Sequence, residues 1–236
     1  MASNNLYNKI LFFLLVISII LPKFSSATPR ILALVKKEPP VLKHHEGTLL
    51  KGNVNVNLIW YGKFTSTQRS TILEFSQSLS HKHHRGSPPL SVASWWSTIA
   101  KYKGGLCIIN VGNQVFDQSY SLGKSLKDAQ IVALASIASG HVNGVNVVLM
   151  AFDVAVEDFC MNMCGSHGYI RGKSRKKYAY AWVGNSAIQC PGQCAWPFQK
   201  PIVGPQKTLL VAPNGDVRVD GMVINLARAG HGPIQF

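Results

Sequence analysis

The sequence predicts an α/β protein with a mixed, largely parallel sheet, flanking helices and a loop-rich, disulfide-held C-terminal half. As far as Phe152, apolar runs typical of buried strands alternate with helical patterns in the order β-α-α-β-α-β. Past Asp153, glycine, proline and cysteine become frequent, and only residues 178–184 are clearly typical of a strand. The length suits one domain, because 209 of the 236 residues follow the signal peptide that is predicted over residues 1–27.

The first predicted elements are a strand over residues 53–62 and a helix over residues 65–80. The strand alternates between an apolar set and an asparagine set, which are Val54, Val56, Leu58 and Trp60, and Asn53, Asn55 and Asn57. This alternation predicts that the asparagine face is exposed to solvent at the start of the strand. Thr65 and Gln68 form a capping-box pattern, and an apolar stripe follows them, so a helix is expected to begin there.

The remaining elements follow from similar patterns. A helix is predicted over residues 87–102, with Trp95 and Trp96 in the core rather than in a ligand platform. A buried strand is predicted over residues 106–111, a helix over 125–139 and a second buried strand over 144–152. Residues 219–227 fit a short helix.

The N-terminus has the three regions of a secretory signal peptide. Lys9 precedes an apolar run from Ile10 to Leu21, and small residues up to Ala27 supply a cleavage site. This run of 12 residues is short for a membrane span, so no stable span is expected. The sequence therefore predicts a secreted protein with a signal peptide over 1–27, a linker or exposed arm over 28–51, one domain over 52–227 and an atypical tail over 228–236.

The charge of the chain indicates a polyanionic partner. Removal of residues 1–27 removes two of the 24 basic residues and none of the 10 acidic ones, which leaves a net charge of +12. Outside the cell such a charge favours acidic polysaccharide, whereas nucleic acid is not expected without a recognition motif. A basic loop is the candidate contact, and it contains Arg171, Lys173, Arg175, Lys176 and Lys177. The alternative is a solvated loop in a protein whose charge serves solubility.

Four of the five cysteines form two C-x3-C clusters, Cys160 with Cys164 and Cys190 with Cys194. In a secreted chain this pattern favours two disulfides, while a four-thiolate zinc site and reactive thiols remain alternatives. Four cysteines allow three pairings, and pairing between the clusters would constrain the larger loop. Cys107 lies in an apolar strand and is expected to be a buried free thiol.

One group of residues is a candidate for catalysis. His167 lies close in sequence to three acids, Asp153, Glu157 and Asp158, and Asp153 follows a predicted strand. Histidine with nearby carboxylates can bind a metal or act as a base and its orienting partner, and the carboxyl ends of strands are where α/β sheets place ligands. The alternative is a surface histidine on a disulfide-held turn. Neither a metal nor a cofactor is predicted.

Seven blocks of sequence, in order between Leu49 and Ala227, carry a resemblance to a family. They are LLKGNVNVNLIWYGKFTSTQRS, SVASWW, YSLGKSLKD, FCMNMCGSHG, YAWVGNS, QCPGQCAWPF and LVAPNGDVRVDGMVINLA. Together they resemble the plant phosphate-induced, or EXORDIUM-like, proteins. The resemblance implies an apoplastic, cell-wall protein linked to growth, brassinosteroid response and carbon or phosphate status.

The same resemblance implies no catalytic residues, because the family has no established enzymatic activity that could be transferred. Its cysteine blocks map onto Cys160, Cys164, Cys190 and Cys194. Two departures are evident: Cys107 stands where an ordinary apolar residue is expected, and the family pattern gives way to RAGHGPIQF after Ala227. The resemblance thus implies a domain that is incomplete at its C-terminus and less stable than that of full-length relatives. A metal-dependent or degenerate hydrolase, with a site around Asp153, Glu157, Asp158 and His167, is the alternative function.

Overall fold

The computed structural model describes residues 9–13, 50, 52–79, 91–97, 107–138, 144–161, 163–171, 177–202 and 208–231. The chain divides into two units, Met1–Lys43 and His44–Phe236. In the first unit residues 9–13 are helical, and the rest of the predicted signal peptide lies outside the described residues. So do the predicted arm before Leu50 and the end of the predicted tail after His231, whereas residues 228–231 of that tail continue the last helix. No helix within the described ranges has the length and apolarity that crossing a membrane requires.

The second unit contains seven described strands and five described helices. In chain order they are β1 (Gly52–Tyr61), α1 (Ser66–Ser78), α2 (Val92–Ser97), β2 (Cys107–Asp117), β3 (Ser125–Leu126), α3 (Asp128–Ile137), β4 (Gly144–Met150), β5 (Ala155–Val156), β6 (Gly165–Arg171), β7 (Lys177–Val183), α4 (Pro191–Cys194) and α5 (Val217–His231).

Five of the strands form one sheet in the order β2-β1-β4-β7-β6. The strands β2, β1, β4 and β7 are parallel, while β6 pairs with β7 in the antiparallel direction. The strands β3 and β5 form a separate two-stranded parallel sheet. The prediction of a mixed, largely parallel sheet with flanking helices is therefore confirmed.

The sheet is buried on both faces because helices pack on each side. On one face Val54, Val145 and Ala181 line an apolar cavity together with residues from α1, α2 and α5. On the other face the Asn146 amide Nδ2 donates to the carbonyl of Ala135 in α3 at 2.7 Å. This burial explains why the central strand β4 is apolar almost throughout and is buried at every residue.

The order of the strands creates a switch point in the sheet. The connection from β1 leads outward to β2 on one side of it, and the connection from β2 returns past β1 to β4 on the other side. Neighbouring parallel strands whose connections leave in opposite directions open a crevice at their carboxyl ends, where α/β proteins bind ligands. In this sheet that place lies between the ends of β1 and β4.

The capping box predicted for the first helix is present. The Gln68 backbone N–H donates to Thr65 Oγ1 at 3.2 Å, and the Thr65 N–H donates to Gln68 Oε1 at 3.1 Å. These two bonds satisfy backbone donors that an α-helix leaves free at its start. The helix buries Ile72 from its predicted apolar stripe.

The prediction of a solvent-exposed asparagine face is correct for Asn53 and wrong for Asn57. Asn53 is exposed, whereas Asn57 is buried under the face that α3 covers. Asn57 sits at a bulge in the pairing of β1 with β2, and its Oδ1 accepts from the Asn113 backbone N–H at 2.9 Å. A Cβ at Gly112 would collide with that same oxygen, so the bulge requires glycine there. Burial is possible because the amide nitrogen donates to Asn146 and the amide oxygen accepts from Asn113.

Several predicted boundaries differ from the structure. Ser125 and Leu126 were predicted to be helical, but they pair with Ala155 and Val156, and the helix begins at Asp128. The strand predicted to end at residue 111 continues to Asp117 through the bulge. The described part of the second helix is Val92–Ser97, and the rest of the predicted range lies outside the described residues. The elements β5, β6 and α4 were not predicted.

Candidate functional site

The carboxyl ends of β1 and β4 meet at the switch point of the sheet. The Ala151 N–H donates to the carbonyl of Tyr61 at 2.9 Å, so the two chain ends leave the sheet side by side. Gly62 follows with a φ of 95°, and a Cβ there would collide with Ala151 and touch the Tyr120 ring. Glycine at position 62 therefore allows the Tyr120 ring to lie across the switch point.

Asp153 lies just beyond β4 and binds two side chains from the loop that follows β2. Its Oδ2 accepts from the Tyr120 hydroxyl at 2.9 Å and from the Lys124 ammonium at 2.5 Å. The Lys124 nitrogen also lies 4.4 Å from the centre of the Tyr120 ring, within the range of a cation–π contact. We refer to Tyr120, Lys124 and Asp153 as the Asp153 cluster.

The pKa values in the Asp153 cluster are displaced away from neutrality. Partial burial acts to raise the pKa of Asp153, but the hydrogen bonds from Lys124 and Tyr120 outweigh it and hold the pKa below its usual value. Burial and the hydrogen bond to Asp153 raise the pKa of Tyr120, and the bond to Asp153 raises the pKa of Lys124. A general acid or base works best with a pKa near the operating pH. The cluster is therefore suited to hold the loop in place rather than to transfer protons.

A second set of bonds fastens the same loop to the ends of β1 and β2. The Tyr61 hydroxyl donates to the Gly123 carbonyl at 2.6 Å and accepts from the Leu122 N–H at 2.9 Å. Burial raises the pKa of Tyr61. Partial burial acts to raise the pKa of Asp117, but hydrogen bonds from Ser121 and Ser119 outweigh it and lower that pKa. Residues 118–124 thus cross the carboxyl edge of the sheet as an anchored strap.

The structure does not gather the four predicted catalytic residues into one site. Asp153 belongs to the Asp153 cluster, whereas Glu157 and Asp158 are exposed beyond β5, with Asp158 at a φ of 61°. His167 is exposed in β6, a strand rather than the turn expected from its glycine neighbours, and desolvation lowers its pKa. Within the described ranges, no group of three or more histidine, cysteine, aspartate or glutamate side chains could hold a metal ion.

The two cysteine clusters are joined by disulfides, as predicted, and the structure settles which cysteines pair. Cys160 bonds to Cys190 and Cys164 to Cys194, with a sequence separation of 30 residues in both bridges. The bridges lie side by side, because the sulfurs of Cys190 and Cys194 are 3.6 Å apart. Sulfurs committed to disulfides cannot form the alternative four-thiolate zinc site.

The bridged segment is also anchored to the last helix. The Asn225 amide Nδ2 donates to the carbonyl of Cys194 at 2.8 Å, and both groups are buried. Gly221 approaches Ala195 so closely that a Cβ would stand 3.2 Å from it. The fifth cysteine, Cys107, begins β2, but its side chain lies outside the described part, so its predicted burial stays a prediction.

The predicted basic loop joins the two antiparallel strands β6 and β7. Arg171 ends β6 and is exposed, with its guanidinium carbon 5.9 Å from the centre of the Tyr169 ring. Lys173, Arg175 and Lys176 lie outside the described residues, as does the side chain of Lys177. The polyanion contact of this loop stays a prediction.

The two tryptophans of α2 differ in exposure. Trp96 is buried in the core, as predicted, whereas Trp95 is 37% exposed. Both line the apolar cavity between the sheet and the helices, together with Phe75, Val54 and Leu226. The cavity wall is apolar, so it packs like a core and offers few groups for reaction chemistry.

Sequence reasoning found Asp153 but missed Tyr120 and Lys124. These residues are 33 and 29 positions away from Asp153, and no local pattern relates them. They meet because the strands that precede them end at the same edge of the sheet. Knowledge of the strand order would have been needed to predict the cluster.

One family model and several curated proteins match most of this chain. The family model described as the phosphate-induced protein 1 conserved region matches residues 42–232. EXORDIUM-like 2 of Arabidopsis thaliana is 53% identical over 208 residues, which cover 86% of this chain and 68% of that protein. PHOSPHATE-INDUCED 1 of Nicotiana tabacum is 51% identical over 213 residues, covering 85% of this chain and 67% of its own.

A third relative, EXORDIUM of Arabidopsis thaliana, is 49% identical over 209 residues, which cover 82% of this chain and 66% of the relative. The chain thus spans about two thirds of the length of these curated relatives. No solved structure matches the chain.

Proposed function

The chain belongs to the phosphate-induced protein 1, or EXORDIUM-like, family, and on that premise we propose that it is a secreted, wall-associated regulator of growth that acts without catalysis. The growth signals that we propose for it are brassinosteroid and carbon or phosphate status. Its proposed place of action is the apoplast, and its proposed ligand there is acidic wall polysaccharide.

The observation that carries the proposal is the pair of disulfides from Cys160 to Cys190 and from Cys164 to Cys194. Such bridges persist in oxidising compartments and are rare in the cytosol, where thiols are kept reduced. The signal-peptide pattern at the N-terminus supports the same destination. Both the disulfides and the signal-peptide pattern are typical of a protein that folds in the secretory pathway.

The non-catalytic part of the proposal rests on the Asp153 cluster. Its carboxylate is engaged by Lys124 and Tyr120, and its pKa is held down while theirs are raised. Groups with these properties order a loop at the place where an α/β enzyme would keep its reactive residues. This arrangement favours a binding or structural role over hydrolysis.

The polysaccharide part rests on charge. The net charge of +12 without residues 1–27 would attract a carboxylate-bearing matrix. Contacts between exposed charges are screened within a Debye length of about 8 Å at physiological ionic strength. Binding to de-esterified pectin should therefore weaken as salt is added.

The experiment is to express the full chain with a C-terminal tag in plant cells and to recover the protein from apoplastic fluid. N-terminal sequencing should begin at Thr28, and the recovered protein should be retained on polygalacturonate at low salt and released at high salt. Retention inside the cell, or a sequence that begins at Met1, would overturn the secretion proposal. Absence of retention at low salt, or retention indifferent to salt, would overturn the polysaccharide proposal.

A further inference from the structure

The turn that precedes α5 exposes an asparagine–glycine pair to solvent. Asn214 and Gly215 are both exposed, and Gly215 has a φ of 71°. The Gly215 N–H donates to the Ala212 carbonyl at 3.0 Å, which closes the turn around Pro213 and Asn214. A Cβ at Gly215 would meet no atom within 4 Å, so the pair projects from the surface.

An asparagine that is followed by glycine carries its own hydrolytic chemistry. The backbone nitrogen of the glycine bonds to Cγ of the asparagine, the bond from Cγ to Nδ2 breaks, and ammonia leaves with the proton of the attacking nitrogen. Water then opens the cyclic imide at either carbonyl carbon, which gives aspartate or isoaspartate. The net reaction consumes water and releases ammonia without any change of oxidation state. Glycine favours the attack because no side chain hinders its nitrogen and its backbone rotates freely.

The sequence contains one other asparagine–glycine pair, Asn143–Gly144, which gives an internal comparison. Gly144 begins β4, is buried, and pairs with Asn55 of β1. Its backbone is therefore held within the sheet, whereas Gly215 lies in an exposed turn. This difference in accessibility favours Asn214 as the reactive position in the folded protein.

Asp220, in the first turn of α5, holds Asn214 in place. Its Oδ2 accepts from the Asn214 backbone N–H at 2.9 Å, and its Oδ1 accepts from Asn214 Nδ2 at 2.5 Å. Asp220 itself is buried, with 4% of the residue accessible. Before the reaction can occur, the Gly215 nitrogen must leave the Ala212 carbonyl and the Asn214 amide must turn away from Asp220. The native turn therefore slows an attack that the dipeptide alone would favour.

Conversion of Asn214 to aspartate would change its contact with Asp220 from attraction to repulsion. The Nδ2 donor is replaced by a carboxylate oxygen, so two negative groups face each other in place of a hydrogen bond. A buried carboxylate that loses a donor is costly, and like charges repel most strongly away from water. Val219 and Met222, on the same turn of α5, are buried in the core. The repulsion therefore acts where the helix begins to pack against the sheet.

We propose that Asn214 is a site of spontaneous deamidation, that Asp220 restrains the reaction in the folded protein, and that the product loosens the start of α5. The inference goes beyond the proposed function and does not depend on it, since the reaction needs only water and time. The protein thus has a newly made form and an aged form that differ at one turn.

The first test follows deamidation of the purified full chain by peptide mapping. Native protein is incubated at alkaline and at mildly acidic pH, and mass spectrometry with isoaspartate detection reports conversion at each asparagine. Asn214 should convert faster at alkaline pH, because removal of the proton from the Gly215 nitrogen promotes its attack. It should also convert at least roughly tenfold faster than Asn110 and Asn113, which are exposed but precede residues with side chains. Equal conversion at all three positions, or none at Asn214, would overturn the proposal.

Gly215→Ala tests whether the nitrogen of residue 215 is the nucleophile. Alanine at a φ of 71° strains the turn and favours its opening, but its methyl group hinders the attacking nitrogen. Conversion of Asn214 should therefore be slower in this variant despite the looser turn. A rate equal to or above that of wild type would argue against the cyclic intermediate.

The restraint by Asp220 is tested with and without a variant. Wild-type protein denatured in urea should convert Asn214 at least roughly threefold faster than native protein, because the turn is lost. Asp220→Ala under native conditions should move the Asn214 rate toward that of the denatured chain. Conversion at Asn143 is the control for loss of the whole fold, since global unfolding speeds both pairs and local opening speeds Asn214 alone. Equal rates in native and denatured wild type would refute the restraint.

The effect of the product is tested with Asn214→Asp. Hydrogen–deuterium exchange in the peptide that spans Asp216 to Met222 should be at least roughly threefold faster than in wild type, because the first turn of α5 opens more often. Asn110→Asp adds the same charge at an exposed position of β2 and should leave exchange in this peptide unchanged. Identical exchange in the two variants would show that deamidation does not loosen the helix.

Discussion

Asn57 donates from its Nδ2 to Oδ1 of Asn146 at 2.8 Å, which joins the central strands β1 and β4 through two buried side chains. The same two residues reach outward to the Asn113 N–H on β2 and the Ala135 carbonyl on α3. A hydrogen-bonded line therefore runs from one edge strand across the sheet centre to a covering helix. It fixes the register of the strands that form the switch point.

Asn57→Leu should lower the free energy of unfolding by about 2–4 kcal/mol. Each buried group left without a partner costs about 1–3 kcal/mol, and the substitution leaves both the Asn113 N–H and an Asn146 oxygen unpaired. Urea unfolding followed by circular dichroism measures the change. Asn110→Leu at an exposed position of β2 is the control and should change stability by less than about 0.5 kcal/mol. Equal effects of the two variants would show that the line is not a source of stability.

Removal of one disulfide as a Cys160→Ser, Cys190→Ser pair should destabilise the protein by less than the about 2–4 kcal/mol that is usual for a disulfide, because Cys164–Cys194 still closes nearly the same loop in the unfolded chain. The Cys164→Ser, Cys194→Ser pair should have an effect of similar size. Thiol labelling of denatured, unreduced wild type should find one free thiol, Cys107. Labelling of all five cysteines would contradict the disulfides.

Asp153→Asn should lower the thermal midpoint at pH 7 by about 2–4 °C, since the charge that holds Lys124 and Tyr120 is lost. Folding lowers the pKa of Asp153, so the stability it contributes is present above its unfolded pKa and is lost as pH falls through its folded pKa. The gap between wild type and variant should therefore narrow as pH falls below the usual aspartate pKa of about 4, through the lowered pKa of Asp153.

The pH dependence expected for Asp153→Asn has a control variant, and a lysine variant should show the opposite dependence on pH. Glu157→Gln at an exposed acid four residues further along the chain removes the same charge, so at pH 7 it is the control for a change in net charge alone. Folding raises the pKa of Lys124, so a Lys124→Gln variant should differ from wild type at neutral pH and converge with it only as pH rises through the raised value. A gap for Asp153→Asn that persists undiminished at acid pH would argue against an ionic role.

Trp96→Ala should destabilise the protein by about 3–5 kcal/mol, the usual cost of emptying a core site of a large aromatic ring. The neighbouring Trp95→Ala provides a control of identical chemistry and should cost about half as much, because Trp95 lines the same cavity but is 37% exposed. Chemical denaturation of both variants gives the comparison. Equal losses would mean that both rings contribute equally to the core.

Local patterns in the sequence predicted those features whose causes are local. The capping box at Thr65 and Gln68 was predictable because its two bonds connect residues three positions apart. The parallel sheet was predictable because buried strands must be apolar on both faces, as β4 is. Two disulfides were predictable from the compartment, but their pairing was not, since it depends on where Cys160 and Cys190 meet in space.

The features that were missed depend on partners distant in the chain. Asn57 resembles a solvent-facing residue in an alternating strand, and only its partners on β2 and β4 make its burial tolerable. The strand β6 was missed because Gly165 and Gly168 weaken its pattern, although glycine is what lets it lie against β7. Ser125 and Leu126 fit a helix in isolation and became a strand because Ala155 and Val156 offered backbone partners.

The side-by-side bridges have a consequence for proteolysis of this chain. The basic stretch from Arg171 to Lys177 contains peptide bonds that trypsin-like proteases favour, and it lies between the two cysteine clusters. A cut in this stretch would give two fragments that remain covalently tied at Cys160–Cys190 and Cys164–Cys194. The nicked protein would migrate as one species on a non-reducing gel and separate only after reduction.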